Sequence, residues 1–159
     1  MKVLVVHDSV YGNTARIAAA MAAALESAHE VRRVTVGEAA AGDLAGLDLV
    51  IAGAPTHAFH PSPAMTDWLK ALAAGALDGI ACAAFDTRIA PEDIGIGWLR
   101  MMVKMFGYAA PHIGRRLESH GGRLVVPPEG FMVTDREGPL RDGEEQRAAQ
   151  WARGVAAAV

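Results

Sequence analysis

The sequence has a single cysteine, Cys82, which excludes a disulfide framework and fits a reducing compartment. No run approaches the ~20 apolar residues of a membrane-spanning helix. The start, Met1-Lys2-Val3-Leu4-Val5-Val6-His7-Asp8, turns polar after four apolar residues and does not read as a secretory leader. Neither charge dominates: 15 Lys and Arg stand against 18 Asp and Glu, a net charge of -3. Without a basic stripe, nucleic acid is not an expected partner. Lysine is scarce (Lys2, Lys70, Lys104), and the abundance of Arg and Ala carries little functional weight. These absences lead to the expectation of a cytoplasmic protein.

What is present is apolar. Hydrophobic residues fill 52% of the 159 positions, enough for the core of one domain and too many for a disordered chain. Lys2–Val6 is a Val-rich run that predicts a strand buried on both faces. Ala15–Ala28 repeats Ile17, Met21 and Leu25 every four positions and predicts a helix. Glu30–Val36 predicts a second strand, less buried because of Arg32 and Arg33. Leu47–Ala54 and Gly79–Phe85 predict two more buried strands, with a helix at Pro63–Ala74 between them. Ala109–His120 predicts a helix stopped by Gly121-Gly122. Arg123–Val126 predicts a fifth strand, resumed at Phe131–Val133. Asp142–Ala158 predicts the last helix, with Asp142 as N-cap and Glu145 completing a capping box.

Strands alternating with helices predict one α/β domain over 1–159, with a parallel sheet and helices on both faces. Sheets of this kind bind ligands beyond the carboxyl ends of their strands. Four segments should meet there: His7–Thr14, Pro55–Pro63, Asp86–Gly97 and Pro127–Gly130.

Ser9-Val10-Tyr11-Gly12-Asn13-Thr14 joins the first strand to the first helix. Its hydroxyls, with backbone N–H groups at a helix start, suit a phosphate held by hydrogen bonds without a counter-charge. It lacks the lysine of a Walker loop, and it has Gly12 alone where a dinucleotide fingerprint needs three glycines.

The stretch from Val5 to Ala15 (VVHDSVYGNTA) resembles the N-terminal signature of flavodoxin-like FMN-binding proteins. Gly53-Ala54-Pro55-Thr56-His57-Ala58-Phe59 is similar to the segment of that family beside the flavin ring. Glu137-Gly138-Pro139-Leu140, followed by Gly143-Glu144, resembles small bacterial members. The resemblance covers nearly the whole chain. It implies a flavodoxin-like three-layer sandwich, a five-stranded parallel sheet in the order 2-1-3-4-5, and FMN as cofactor. It places the phosphate on the first loop, at Ser9, Tyr11, Gly12, Asn13 and Thr14, with Val10 among the cofactor-binding residues. It places the ring between Pro55, Thr56, His57, Ala58 and Phe59 on one side and Asp86, Thr87 and Arg88 on the other. The implied activity is electron transfer to a redox partner protein or two-electron reduction of a small quinone-like acceptor. The opposing reading is a binding or regulatory module of the same fold that does not hold FMN.

Three departures favour two-electron chemistry. Electron-transfer members usually set aromatic rings from the second and third loops around the flavin. Here the second loop offers Phe59, and Thr87–Gly97 offers no aromatic before Trp98. Those members also resemble one another in a flexible residue, often Gly, whose peptide turns over toward the one-electron-reduced flavin. No Gly occurs between Pro55 and Pro63, and Pro61 restricts His60 to extended conformations. They are usually strongly acidic, and this chain is not. His57 and His60 are then candidate catalytic proton donors, since imidazole titrates near neutral pH. The plainer alternative leaves both as solvated loop residues.

Other patterns carry less. Cys82 and Arg88 have the spacing of a cysteine phosphatase, but Cys82 falls inside an apolar run and Asp86 would repel phosphate; a buried inert thiol is expected. His57 and His60 lack the further ligands a metal requires. Trp98–Phe106 is apolar and Met-rich, with Arg100 and Lys104 among it. It reads as a lid over the site, a homodimer surface, a membrane-surface contact, or the start of the next helix.

Overall fold

Val3 and Val5 point to one face of strand β1 (Lys2–His7), Leu4 and Val6 to the other, and all four are buried. Such a strand has to lie inside a sheet covered on both sides. A computed structural model, describing Met1 to Val159 with Ala41 excepted, contains that sheet. β1 lies between the parallel strands β2 (Glu30–Thr35) and β3 (Leu49–His57). A two-residue β4 (His60–Pro61) folds back antiparallel on the end of β3. β5 (Ala81–Ile89) runs parallel to β3 on its other side, and β6 (Arg123–Leu124) and β7 (Glu129–Val133) pair end to end along the outer edge of β5.

The five strand positions keep the expected order, but seven strands occupy the sheet. The fifth position is split at Pro127-Pro128, which have no N–H groups to give to the ladder. β4 is the additional strand, the return arm of a hairpin.

The helices are α1 (Asn13–Leu25), α2 (Pro63–Ala71), α3 (Gly97–Phe106), α4 (Ala109–Ser119) and α5 (Glu144–Ala157). α1 and α5 cover one face, setting Ile17, Met21, Ala148 and Val155 on Val3, Val5, Ile51 and Phe85. α2 and α4 cover the other, setting Met65, Leu69, Ile113 and Leu117 on Leu4, Val6, Val50 and Ala84. Ser62 caps α2, its Oγ accepting from Met65 N–H at 3.4 Å, with Pro63 at the first helical position.

Two expectations are corrected. α5 begins at Gly143 in the left-handed region (φ 84°), and Asp142 does not cap it, so no capping box forms. Glu145 instead pairs with Arg16 at 3.0 Å, and Glu144 accepts from Met132 N–H at 2.6 Å and from Arg147 at 2.8 Å. Tertiary partners have taken both carboxylates. Trp98–Phe106 does not begin the helix that packs on the sheet. Gly107 (φ 77°) and the extended Tyr108 separate α3 from α4, and only Val103 of α3 is buried.

Candidate functional site

The polar loops gather where β1, β3 and β5 end, around a cavity of about 400 Å³. The first loop is built around Gly12, which takes φ 87° as the N-cap of α1 and offers no side chain to cap it. Ala15 N–H donates to Ser9 Oγ at 3.2 Å, and the leading N–H groups of the helix are left for another acceptor. Two contacts hold this loop in place. Thr14 Oγ1 and Thr87 Oγ1, both from buried residues, lie 2.8 Å apart and join the loop to the end of β5. Asn13 Nδ2 donates to the Glu137 carbonyl at 3.0 Å and joins it to the turn after β7.

The second loop is a tight hairpin. Thr56 pairs with Pro61 and His57 with His60, leaving Ala58 and Phe59 as the turn. Both turn residues lie in the left-handed region, at φ 43° and 73°. A two-residue hairpin of this twist requires that geometry, and without glycine it costs about 1–2 kcal/mol per residue. The loop is therefore stiffer than Pro61 alone implies.

The hairpin separates the two histidines. His57 lines the cavity, and its Nε2 is buried with no hydrogen-bond partner among the described residues. His60 lines a different cleft, toward α2 and α4, so the structure does not bring it to the cavity.

β5 ends in an ion pair. Asp86 is fully buried and receives Arg88 Nε at 2.5 Å and Arg88 NH2 at 2.7 Å. It also accepts the Ala110 N–H at 2.7 Å, which fixes the start of α4. Burial pushes its carboxyl above the ordinary value, and Arg88, Ala110 and Thr56 pull it back. The Arg88 guanidinium lies 3.8 Å from the centroid of the Tyr108 ring. Cys82, the second residue of the same strand, faces the Ile80 carbonyl, and burial pushes its thiol up to about 12. With Arg88 turned to Asp86, no cysteine–arginine phosphate loop exists here.

Of the expected residues, Val10, Tyr11, Asn13, Thr14, Pro55, Thr56, His57, Ala58, Phe59, Thr87 and Arg88 line the cavity. Ser9, Gly12 and Asp86 are not among its lining residues; Asp86 is buried beneath Arg88, and Gly12 is exposed. Tyr108 and Arg136, which the sequence reading did not single out, and two residues of the Trp98–Phe106 segment complete the wall. Tyr108 supplies an aromatic ring on the side of the third loop, where the sequence offered none. Leu99 and Val103 of α3 close one flank, and Arg136 reaches in from the turn after β7. Phe106 rests against Phe59 with ring centroids 5.8 Å apart. The first loop brings the hydroxyl and amide groups of Tyr11, Asn13 and Thr14, and Thr56, Thr87 and Tyr108 add hydroxyls from other elements. The wall carries two arginines and, among the described residues, no carboxylate.

A sequence model described as a flavodoxin domain matches residues 4–90, more than half of the chain. No curated protein matches the sequence. Oxidised flavodoxin 2 from Bacillus cereus is similar in structure, with a TM-score of 0.78 and 20% identity over 100% of both chains. A flavodoxin from the domain Archaea has a TM-score of 0.77 and 18% identity, over 99% of this chain and 97% of that one. A flavodoxin, WrbA-like protein from Agrobacterium tumefaciens has a TM-score of 0.68 and 19% identity, over 99% and 96%. At these identities the likeness is one of fold.

Proposed function

Because the chain belongs to the flavodoxin domain family, whose members are FMN-type redox proteins, we propose that its cavity holds FMN for two-electron reduction of a small quinone-like acceptor. The residues present fit that cofactor. The cavity, about 400 Å³, has the volume of a small-molecule site. The uncapped start of α1 presents N–H groups suited to a phosphate, and the orphaned His57 Nε2 calls for a polar partner. In this reading Ser9, Tyr11, Gly12, Asn13 and Thr14 hold the phosphate. The Pro55–Phe59 hairpin, Thr87, Arg88 and Tyr108 enclose the ring, and Asp86 acts by positioning Arg88. Bound FMN supplies the two-electron chemistry.

The observation that carries the two-electron reading is Arg136, which has no ion pair among the described residues, on a wall without carboxylates; Arg88 is already matched by Asp86. A positive field in a partly desolvated cavity favours a ligand that gains negative charge. The stiff Ala58–Phe59 turn works in the same direction, because it resists rearrangement at an intermediate stage. His57 lines the cavity and is the candidate donor of a proton to an acceptor oxygen. A second reading, electron exchange with a partner protein, is favoured by α3, whose Trp98, Met101 and Met105 are more than half exposed beside the cavity. A cytoplasmic site of action accompanies either reading. No helix is long and apolar enough to cross a membrane.

The test is the colour of the purified protein. Flavin absorbance that survives desalting and is released on denaturation supports the proposal. Added FMN at about 100 times its Kd should then raise stability by about 2.7 kcal/mol. A colourless protein that FMN does not stabilise overturns it in favour of a flavin-free binding module.

A further inference from the structure

A second cleft, of about 430 Å³, lies between the β4 hairpin, α2 and α4 and shares no lining residue with the flavin cavity. His112, Arg115, Arg116 and Ser119 recur at spacings of three, four and seven along α4, which puts them on one stripe of the helix. His60 faces them from the hairpin and Thr66 from α2. The rings of His60 and His112 lie 5.0 Å apart. Arg115 NH2 stands 2.9 Å from His112 Nδ1. A guanidinium can only donate, so Nδ1 accepts and the ring proton is assigned to Nε2.

The charges of this cleft are uncompensated. No carboxylate lines it, and neither Arg115 nor Arg116 forms an ion pair among the described residues. Burial holds the His112 pKa below its ordinary value, and Arg115 and His60 lower it further, while a backbone hydrogen bond at Phe106 opposes them. Two guanidiniums, two imidazoles and two hydroxyls on three separate elements thus converge without an anion. A merely solvated basic helix face would not need the second histidine and the threonine brought in from the hairpin and α2.

We propose that this cleft binds a phosphate-class oxyanion, borne by a small molecule or free. Guanidinium forks match phosphate oxygens in pairs, the hydroxyl of Thr66 adds a donor, and imidazole protonates readily beside a dianion; the Ser119 hydroxyl donates to the Arg116 carbonyl at 2.7 Å instead. The position relative to the flavin cavity gives the site its meaning. Phe59 lines the cavity and the next residue, His60, lines the cleft. The Phe106 backbone raises the His112 pKa, and the Phe106 ring rests on Phe59. An oxyanion here would anchor a phosphorylated nucleotide electron donor beside the cavity; that nucleotide-borne form rests on the flavin reading above.

The experiment follows the ring resonances of His60 and His112 by NMR in the FMN-loaded protein, with inorganic pyrophosphate and NADPH titrated separately. Saturable shifts of both rings are expected, with the midpoint of the His112 titration moving up by about one pH unit. The double variant Arg115→Ala, Arg116→Ala should weaken binding at least about tenfold while its far-UV spectrum stays unchanged. Tighter binding of NADPH assigns the oxyanion to a nucleotide, and tighter binding of pyrophosphate assigns it to a free anion. Rings that ignore both probes, or shifts the double variant retains in full, overturn the proposal. The amide resonances of Ser9–Thr14 report FMN separately, so loss of the flavin reading and loss of this one are told apart.

Discussion

Gly130 of β7 leaves the space that the Arg88 guanidinium fills: a Cβ built on Gly130 would lie 2.2 Å from Arg88 Nε. Asp86 is the register partner of Gly130 on β5, so the guanidinium lies across the edge of the sheet, held by the carboxylate and the Tyr108 ring. Gly130→Ala should push Arg88 off a buried carboxylate. The expected loss is about 1–3 kcal/mol of stability in urea unfolding, with weaker FMN binding. An unchanged urea midpoint would show that Arg88 has room elsewhere.

Ala58 takes a left-handed conformation that costs glycine nothing. Ala58→Gly should therefore stabilise the chain by about 0.5–1 kcal/mol. Photoreduction of the FMN-loaded wild type should pass to the fully reduced spectrum with little long-wavelength radical absorbance, and the glycine variant should show more. Strong radical absorbance in the wild type would refute the two-electron reading.

The buried Nε2 of His57 contributes a desolvation cost with no compensating bond in the free protein. His57→Phe should leave the thermal midpoint of the FMN-free protein equal or higher. It should slow reduction of a soluble quinone about 10²-fold, the usual size of a lost proton donor. Equal rates in the two proteins would remove His57 from the chemistry.

Acid should destabilise the fold in two stages. His7, buried at the end of β1, has its imidazole held below the ordinary 6.5, first by burial and then by the Arg33 charge. Unfolding lets it take a proton, so its contribution is complete above 6.5 and declines as pH falls below that. Glu144 adds a lower stage. Burial raises its carboxyl, but Arg147 and the Met132 N–H outweigh burial and leave it below the ordinary 4.5, so its contribution is lost as pH falls through the folded value. Thermal midpoints across this range should fall first below 6.5 and again below 4.5. A midpoint indifferent to acidification above 4.5 would contradict a neutral, buried His7.

The strands were readable because a run such as Val3–Val6 has no polar face to expose, and the site's location followed from strand topology alone. Most of the cavity wall was readable for the same reason, since the loops after β1, β3 and β5 had to meet. Tyr108 was not, because it reaches the cavity only through the excursion of α3, which local periodicity does not reveal. Arg136 directly precedes the Glu137–Leu140 stretch, whose resemblance assigned no role to it. The separation of His57 from His60 was hidden because the hairpin turn uses Ala58-Phe59 rather than the Asn-Gly or Asp-Gly that usually signals one. The start of α5 was misplaced because Asp142 and Glu145 match a capping box in spacing, while Gly143 sets the backbone geometry.

The Pro127-Pro128 interruption also limits how copies of this chain can associate. An uninterrupted edge strand is a template on which another chain can extend the sheet. Here that edge is two short pieces separated by a stretch whose Pro127 and Pro128 have no N–H to share, and the opposite edge, β2, carries the exposed Arg32 and Arg33. Fibre-like growth by strand addition is blocked at both margins, and self-association is left to helix surfaces such as that of Trp98, Met101 and Met105.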